Sequence, residues 1–170
     1  MRSKKHRKWP IILILILAVV AVGFIVGSSF VHKASFEDAL EEKVTSDIIR
    51  GEDVPAHIEY SNAVYESISF NVRTNDYKSG MAEVEFTYVD VLALADGSEA
   101  EIESQESFYT YCVEQINSGV APTNTEVIQV SYAILEEDGG KRYVIEDTPE
   151  LANVLTGGAF SVFQSMLEGG

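Results

Sequence analysis

The strongest constraint on this chain is an uncharged segment of twenty residues that directly follows a basic cluster. Five of the first eight residues are Lys or Arg, whereas residues 11–30 include no charged side chain. A helix rises about 1.5 Å per residue, so twenty residues span about 30 Å, the thickness of the hydrocarbon core of a bilayer. Because basic residues stay on the cytoplasmic side, the sequence predicts an N-terminus inside the cell and everything after Phe30 outside.

These features divide the chain into four parts. The sequence predicts a cytoplasmic basic tail (1–10), a transmembrane helix (11–30), a short stalk (31–34) and one extracytoplasmic domain (35–170). The alternative is a cleaved signal peptide and a secreted domain. The apolar run is longer than the roughly 7 to 15 residues typical of signal peptides, which favours an anchor. Within the anchor, Gly23-x-x-x-Gly27 has the spacing that allows two helices to pair as a weak homodimer.

Charge is as unevenly distributed as hydropathy. After residue 30 there are 27 acidic and seven basic side chains, which give this part a formal net charge of −20. Such a surface repels phosphate backbones, so the sequence disfavours nucleic acid, and it leaves open a positively charged partner, either a basic protein or a metal cation. The alternative is that the charge serves solubility alone. If the chain has a protein partner, we expect it in the cell envelope. Cys112 is the only cysteine, so the domain has no internal disulfide and depends on its apolar core.

The first half of the domain predicts two helices and a β-hairpin. A first helix is expected from a cap at Ser35 to a stop at Gly51, because its apolar residues recur every four positions: Phe36, Leu40, Val44 and Ile48. Pro55 begins a short second helix. Two strands with alternating apolar residues follow. The second strand directs four side chains to one face, namely Ala82, Val84, Phe86 and Tyr88.

The second half predicts another helix, another hairpin and a last helix. Ser104 or Ser107 caps a helix that carries Phe108, Cys112 and Ile116 on one side and stops at Gly119. The apolar run 127–135 indicates a central strand, which a glycine turn connects to a strand over 142–146. Thr148-Pro149-Glu150 is typical of a helix start, and Gly157-Gly158 is expected to break that last helix.

This order of elements predicts an α+β domain with an antiparallel sheet covered by helices. Together with the closing segment 143–158 (YVIEDTPELANVLTGG), the order resembles membrane-anchored bacterial surface proteins of the nuclear-transport-factor-2-like superfamily. The resemblance implies an N-terminal transmembrane helix followed by a cone-shaped nuclear-transport-factor-2-like domain, in which a curved antiparallel sheet folds around an N-terminal helix and is covered by helices. It carries over no catalytic residue.

Tyr88 and Asp90 are the candidate pocket residues. They extend the inward face of the second strand. Enzymes of the superfamily that this chain resembles work from an apolar cone that holds a few polar groups. A desolvated aspartate beside a phenol can abstract a proton from carbon, because burial raises the carboxyl pKa toward neutrality. The competing interpretation is that the strand end is exposed and Asp90 is solvated. No second catalytic group accompanies the pair, so the chain is not expected to be an enzyme.

No cofactor or metal site is expected. The histidines fall in separate regions and are each expected to be solvated: His6, His32 and His57. The densest acidic cluster includes Glu99, Glu101 and Glu103 but lacks the Asp-x-Asp-x-Asp-Gly pattern of a calcium loop. Cys112 has apolar neighbours at helical spacing, which predicts an inert core thiol.

Two function classes follow. The first is a single-pass, membrane-anchored, extracytoplasmic interaction or scaffold module. The second is a cone domain that binds a small apolar ligand. A less favoured version of this second class is an enzyme that uses Asp90 as a base. A sheet filled by its helices favours the first class, whereas an open pocket with converging polar groups favours the second.

Overall fold

The computed structural model describes residues 31–97, 104–137, 140–162 and 164, which form an α+β domain around one four-stranded antiparallel sheet. In this part of the chain no helix is long and apolar enough to cross a membrane. The fold class expected from the sequence, a transmembrane helix followed by a cone-shaped domain, is therefore corrected: the structure describes an α+β domain with a four-stranded antiparallel sheet. The expected anchor, with Gly23 and Gly27, lies outside the described residues.

The first helix, α1, covers residues 31–45. It includes residues 31–34, where the sequence predicts a stalk, so Ser35 lies inside the helix and does not cap it. Phe36, Leu40 and Val44 are buried, as their four-residue spacing predicts. α1 is therefore an amphipathic helix that presents one apolar stripe to the sheet.

α1 ends at residue 45, earlier than the expected stop at Gly51. The reason is a side chain from the next helix. The amide of Asn62 accepts a hydrogen bond from the backbone N–H of Ile49 (3.0 Å) and donates one to its carbonyl (2.7 Å). Because both backbone groups of Ile49 are taken by Asn62, this segment bonds to α2 instead of continuing α1.

After α1 the chain forms α2 (Ala56–Glu66), β1 (Ser69–Asp76), β2 (Met81–Val89), α3 (Val91–Asp96), α4 (Gln105–Asn117), β3 (Thr123–Glu137), β4 (Gly140–Ile145) and α5 (Pro149–Leu155). Residues 160–162 and 164 are also helical. The expected helix starts are confirmed for α4 and α5. Ser104 and Ser107 form a reciprocal capping box at α4, and Thr148 caps α5 with Pro149 in its first turn. The short helix α3 is not expected from the sequence.

The sheet has the strand order β1-β2-β3-β4, and every neighbouring pair is antiparallel. The alternation predicted for β2 is confirmed, since the four side chains that share its inner face are buried: Ala82, Val84, Phe86 and Tyr88. The other face of β2 carries Glu83, Glu85 and Thr87, which are half-buried. β3 lies centrally between β2 and β4, whereas β1 and β4 are the two edge strands.

Helices α1 and α5 cover the inner face of the sheet and close the main core. Phe36 and Leu40 of α1 and Val154 of α5 have no exposed surface, and all three belong to one cluster with the inner residues of β2 and β3. Burying a side chain of this size stabilises a fold by about 1.5 to 3 kcal/mol. A second, smaller cluster lies between α2, α3 and α4 and has Cys112 among its buried members.

Gly157 joins the two clusters at the turn that follows α5. Its carbonyl accepts a hydrogen bond from the backbone N–H of Val91 (3.0 Å), and its φ of +62° lies in the left-handed region. A Cβ atom at this position would lie 2.4 Å from Cγ2 of Val91 and 2.8 Å from the carbonyl oxygen of Val89. Glycine is therefore required both by the backbone conformation and by the close approach of α3.

Gly157→Ala is expected to lower the free energy of unfolding by about 3 kcal/mol, since it adds a steric clash to the cost of positive φ. Gly119→Ala is the matched control, because Gly119 also has a positive φ (+72°) but has open space where its Cβ would be. The control is expected to cost only about 1 kcal/mol. Urea unfolding of both variants measures the difference, and equal losses would contradict the close packing of α3 on this turn.

Candidate functional site

Tyr88 lies on the inner face of β2 and is 1% exposed. Its hydroxyl donates a hydrogen bond to Oε1 of Glu126 (2.9 Å) and accepts one from Nδ2 of Asn124 (3.2 Å). Burial and the bond to Glu126 raise the pKa of Tyr88 to about 12. The phenol therefore stays neutral at physiological pH, and it acts as a hydrogen-bond donor within the fold.

Asp90 follows β2 and is the N-cap of α3. Its carboxylate accepts a hydrogen bond from the backbone N–H of Ala93 (2.9 Å). The structure thus places Tyr88 and Asp90 at the same end of β2 but gives each its own hydrogen-bond partner. The expectation that Asp90 continues the inward face of the strand is corrected, because the chain turns into a helix at this residue. The sequence signal for this was an aspartate directly before the apolar run 91–95.

The inner face of the sheet is filled by side chains where the sequence predicts a cone. Phe36 and Leu40 of α1 belong to the same buried cluster as Phe86 of β2 and Val130 of β3, and none of these residues is exposed. The ring of Phe36 also lies 4.9 Å from the ring of Tyr132, measured between centroids. In the described part of the chain, the polar groups of Tyr88 and Asp90 therefore do not converge on an open apolar pocket.

A surface groove runs between α1 and the edge strand β4. One end is a cleft of about 420 Å³ lined by Ser35, Asp38, Ala39 and Glu42 of α1 and by residues 140–143 of β4. A second cleft of about 220 Å³ continues it along residues 142–145 and shares Ala39 and Glu42 with the first. We call this continuous surface the edge groove. Sequence reasoning missed it, although the two adjacent basic residues of β4 are typical of an edge strand.

Side-chain contacts at both ends of α1 hold this helix beside β4. Nδ1 of His32 shares a hydrogen bond with the hydroxyl of Tyr143, and the ring of His32 stacks on Tyr77 with centroids 4.6 Å apart. At the other end of α1, Nζ of Lys43 lies 2.6 Å from Oδ1 of Asp147. The expectation that His32 is solvated is wrong, because α1 already includes this residue and places it against the sheet.

The walls of the edge groove differ in charge. Asp38 and Glu42 stand one helical turn apart on α1; both are exposed, and neither has an ion-pair partner among the described residues. Lys141 and Arg142 line the β4 wall and are also exposed. The edge groove therefore has two carboxylates on its α1 wall and two basic side chains on its β4 wall.

The remaining candidates from the sequence lie elsewhere. Cys112 is fully buried, and burial raises the pKa of its thiol to about 11, so it is an unreactive core residue. His57 is exposed on α2, whereas His6 and the acidic cluster 99–103 lie outside the described residues. Within the residues that the structure covers, no three His, Cys, Asp or Glu side chains are grouped so that they could hold a metal ion.

Comparisons with protein-family models, with curated proteins and with solved structures found no match. The resemblance to nuclear-transport-factor-2-like surface proteins therefore stays a prediction from the sequence. The filled sheet and the edge groove are therefore the features of this domain that bear on its function.

The role of Asp90 as a helix cap gives a direct prediction. Asp90→Ala removes the acceptor for the N–H of Ala93 and is expected to lower the free energy of unfolding by about 1 kcal/mol. Asp90→Asn keeps a side-chain oxygen in the same place, so it is expected to leave stability nearly unchanged. Thermal unfolding measures the stability of both variants. An equal loss of stability in the two would mean that the capping hydrogen bond is not what Asp90 contributes to the fold.

Proposed function

We propose that this chain is an interaction module at the outer surface of the cell membrane, and that the edge groove is where it receives a protein partner of the cell envelope. The filled inner face of the sheet is the observation that carries the proposal. A domain whose interior is packed with its own side chains offers its surface, not a cavity, to other molecules.

The proposed location rests on the sequence before the domain. A basic cluster followed by the uncharged segment 11–30 supports a cytoplasmic N-terminus and a domain outside the cell. A cleaved leader and a secreted domain remain the alternative for this segment. In both cases the edge groove belongs to the part of the chain that leaves the cytoplasm.

Binding of a small apolar ligand is the second candidate function, and the packing weighs against it. Such a ligand needs a concave apolar site, and the place where the sequence predicts one is occupied by Phe36 and Leu40. An enzyme that uses Asp90 as a base is disfavoured for a separate reason, since its carboxylate is hydrogen-bonded to the N-terminus of α3.

Photo-crosslinking in intact cells tests the proposed partner. A photoreactive amino acid at position 38, in the edge groove, is expected to give an adduct of one discrete mass with a protein of the cell envelope. The matched control is position 114, which is exposed on α4 and lies outside the groove. The same adduct from both positions would contradict the groove as the interaction site. A purified chain that retains an apolar molecule in native mass spectrometry would instead support the second candidate.

Protease accessibility, in the same cells after removal of any wall, tests the location. Protease added outside is expected to digest the domain after Ala34 and to leave the N-terminal segment in the membrane. Protection of the domain in sealed cells would contradict an outward orientation. Release of a chain that lacks the basic cluster would support the secreted alternative.

A further inference from the structure

The turn between β1 and β2 lies against the first residues of α1. The ring of Tyr77 in this turn stacks on the ring of His32, with centroids 4.6 Å apart and planes inclined by 7°. α1 already covers residue 31, which directly follows the uncharged segment 11–30. The β1–β2 turn is therefore a part of the domain that lies beside the end of that segment.

The short connection between the segment and this contact limits how far Tyr77 can be from the membrane. His32 comes two residues after Phe30. Because the proposed function places the end of the segment at the edge of the hydrocarbon core, His32 lies within about 3 to 7 Å of that edge, whether the two residues are helical or extended. The headgroup layer on each side of the core is about 5 to 7 Å thick. His32 and the tyrosine ring stacked on it therefore reach the headgroup layer.

The exposed side chains at this place suit such a layer. We call the surface formed by Val31, His32, Tyr77 and Lys78 the α1–turn surface. Val31 is 63% exposed and Tyr77 is 38% exposed, so the domain leaves apolar area uncovered here. A tyrosine ring combines an apolar body with a polar hydroxyl, and tyrosine is enriched at membrane–water interfaces for that reason.

The charges around the α1–turn surface are balanced. On α1, Lys33 pairs with Glu37 at 3.6 Å. In the turn, the carboxylate of Asp76 accepts hydrogen bonds from the N–H of Lys78 (3.1 Å) and from the hydroxyl of Ser79 (2.9 Å). These two basic and two acidic side chains cancel, so the net charge of −20 after residue 30 arises from other parts of the chain. The acidic character of the domain therefore does not keep this surface away from anionic headgroups.

Hydrogen bonds hold the turn in one position on the sheet. The N–H of Gly80 donates to the carbonyl of Asp76 (3.0 Å), and the carbonyl of Gly80 accepts from the N–H of Tyr132 on β3 (2.8 Å). Gly80 has a φ of +67°, and a Cβ atom there would lie 2.5 Å from the carbonyl oxygen of Tyr132. The turn thus presents Tyr77 from a preorganised frame, which keeps the ordering cost of a contact low.

We propose that the α1–turn surface docks on the headgroup layer of the membrane that segment 11–30 enters, with the ring of Tyr77 inserted among the headgroups. The inference rests on the proposed location and adds the surface with which the domain meets the bilayer. Lipid is the favoured occupant because the connection at residue 30 keeps headgroups beside this surface, so docking is an intramolecular event. The opposite end of the sheet, where β2 leads into α3, then faces away from the membrane.

A fluorophore in the turn measures the docking. The full-length chain is placed in nanodiscs of phosphatidylcholine and phosphatidylglycerol that include a lipid with a nitroxide on its headgroup. Lys78→Cys attaches the fluorophore next to Tyr77, and the native Cys112 is fully buried and reacts poorly. Val120→Cys is the matched control, because Val120 is 66% exposed and precedes β3 at the opposite end of the sheet. The label at position 78 is expected to lose most of its fluorescence, and the label at position 120 almost none.

Two substitutions of Tyr77 separate docking from the effect of the covalent connection. Tyr77→Asp puts a charge where the ring meets the headgroups, so the label at position 78 is expected to recover most of its fluorescence. Tyr77→Phe keeps the ring and its apolar contact, so the quenching is expected to stay close to that of the unsubstituted turn. Circular dichroism of both variants checks that the domain is folded.

Equal quenching at positions 78 and 120 would overturn the docking whether or not the aspartate variant folds. Unchanged quenching in a folded Tyr77→Asp chain would also overturn it, because the connection at residue 30 alone would then hold the turn near the lipid. Either result, in a chain that stays in the nanodisc, leaves the proposed location standing and removes only the docking surface. A chain recovered outside the nanodisc would instead remove the proposed location, and the docking with it.

Discussion

The packing of α1 onto the sheet is the interaction on which the rest of this structure depends. Phe36 and Leu40 fill the inner face, where they meet the apolar residues of β2 and β3 without leaving exposed surface. If α1 were absent, the apolar side chains of that face would be exposed to solvent. With α1 in place the interior is closed, and the surface around the helix becomes the part of the domain that is available to partners.

The position of α1 also explains why one sheet edge differs from the other. His32 and Lys43 attach the two ends of the helix to Tyr143 and to Asp147, so α1 runs beside β4 along its length. The exposed ion pair contributes at most about 1 kcal/mol, so the apolar stripe holds the helix and the polar contacts set its direction. The result is an edge strand with the charged face of a helix beside it.

Patterns with a short range were predictable from the sequence. The alternation of β2 and the Thr148-Pro149 start of α5 depend on neighbouring residues alone, and both are confirmed. The end of α1 was not predictable, because it is set by Asn62, a residue of the next helix. Asp90 was misplaced for a related reason. It continues the two-residue period of β2, and the helix that it caps has only six residues, so the helical pattern in the sequence is short. The edge groove depends on where α1 lies across the sheet, and no local pattern contains that information.

Amide hydrogen exchange along β4 tests the central claim most directly, because it reports on each backbone N–H in the unbound chain. If β4 is an open edge beside α1, exchange alternates: Arg142 and Val144, which face β3, are protected, whereas Lys141, Tyr143 and Ile145 exchange fast. Uniform protection of all five amides would mean that another part of the chain already covers this edge. That result would contradict the edge groove as a site for partners.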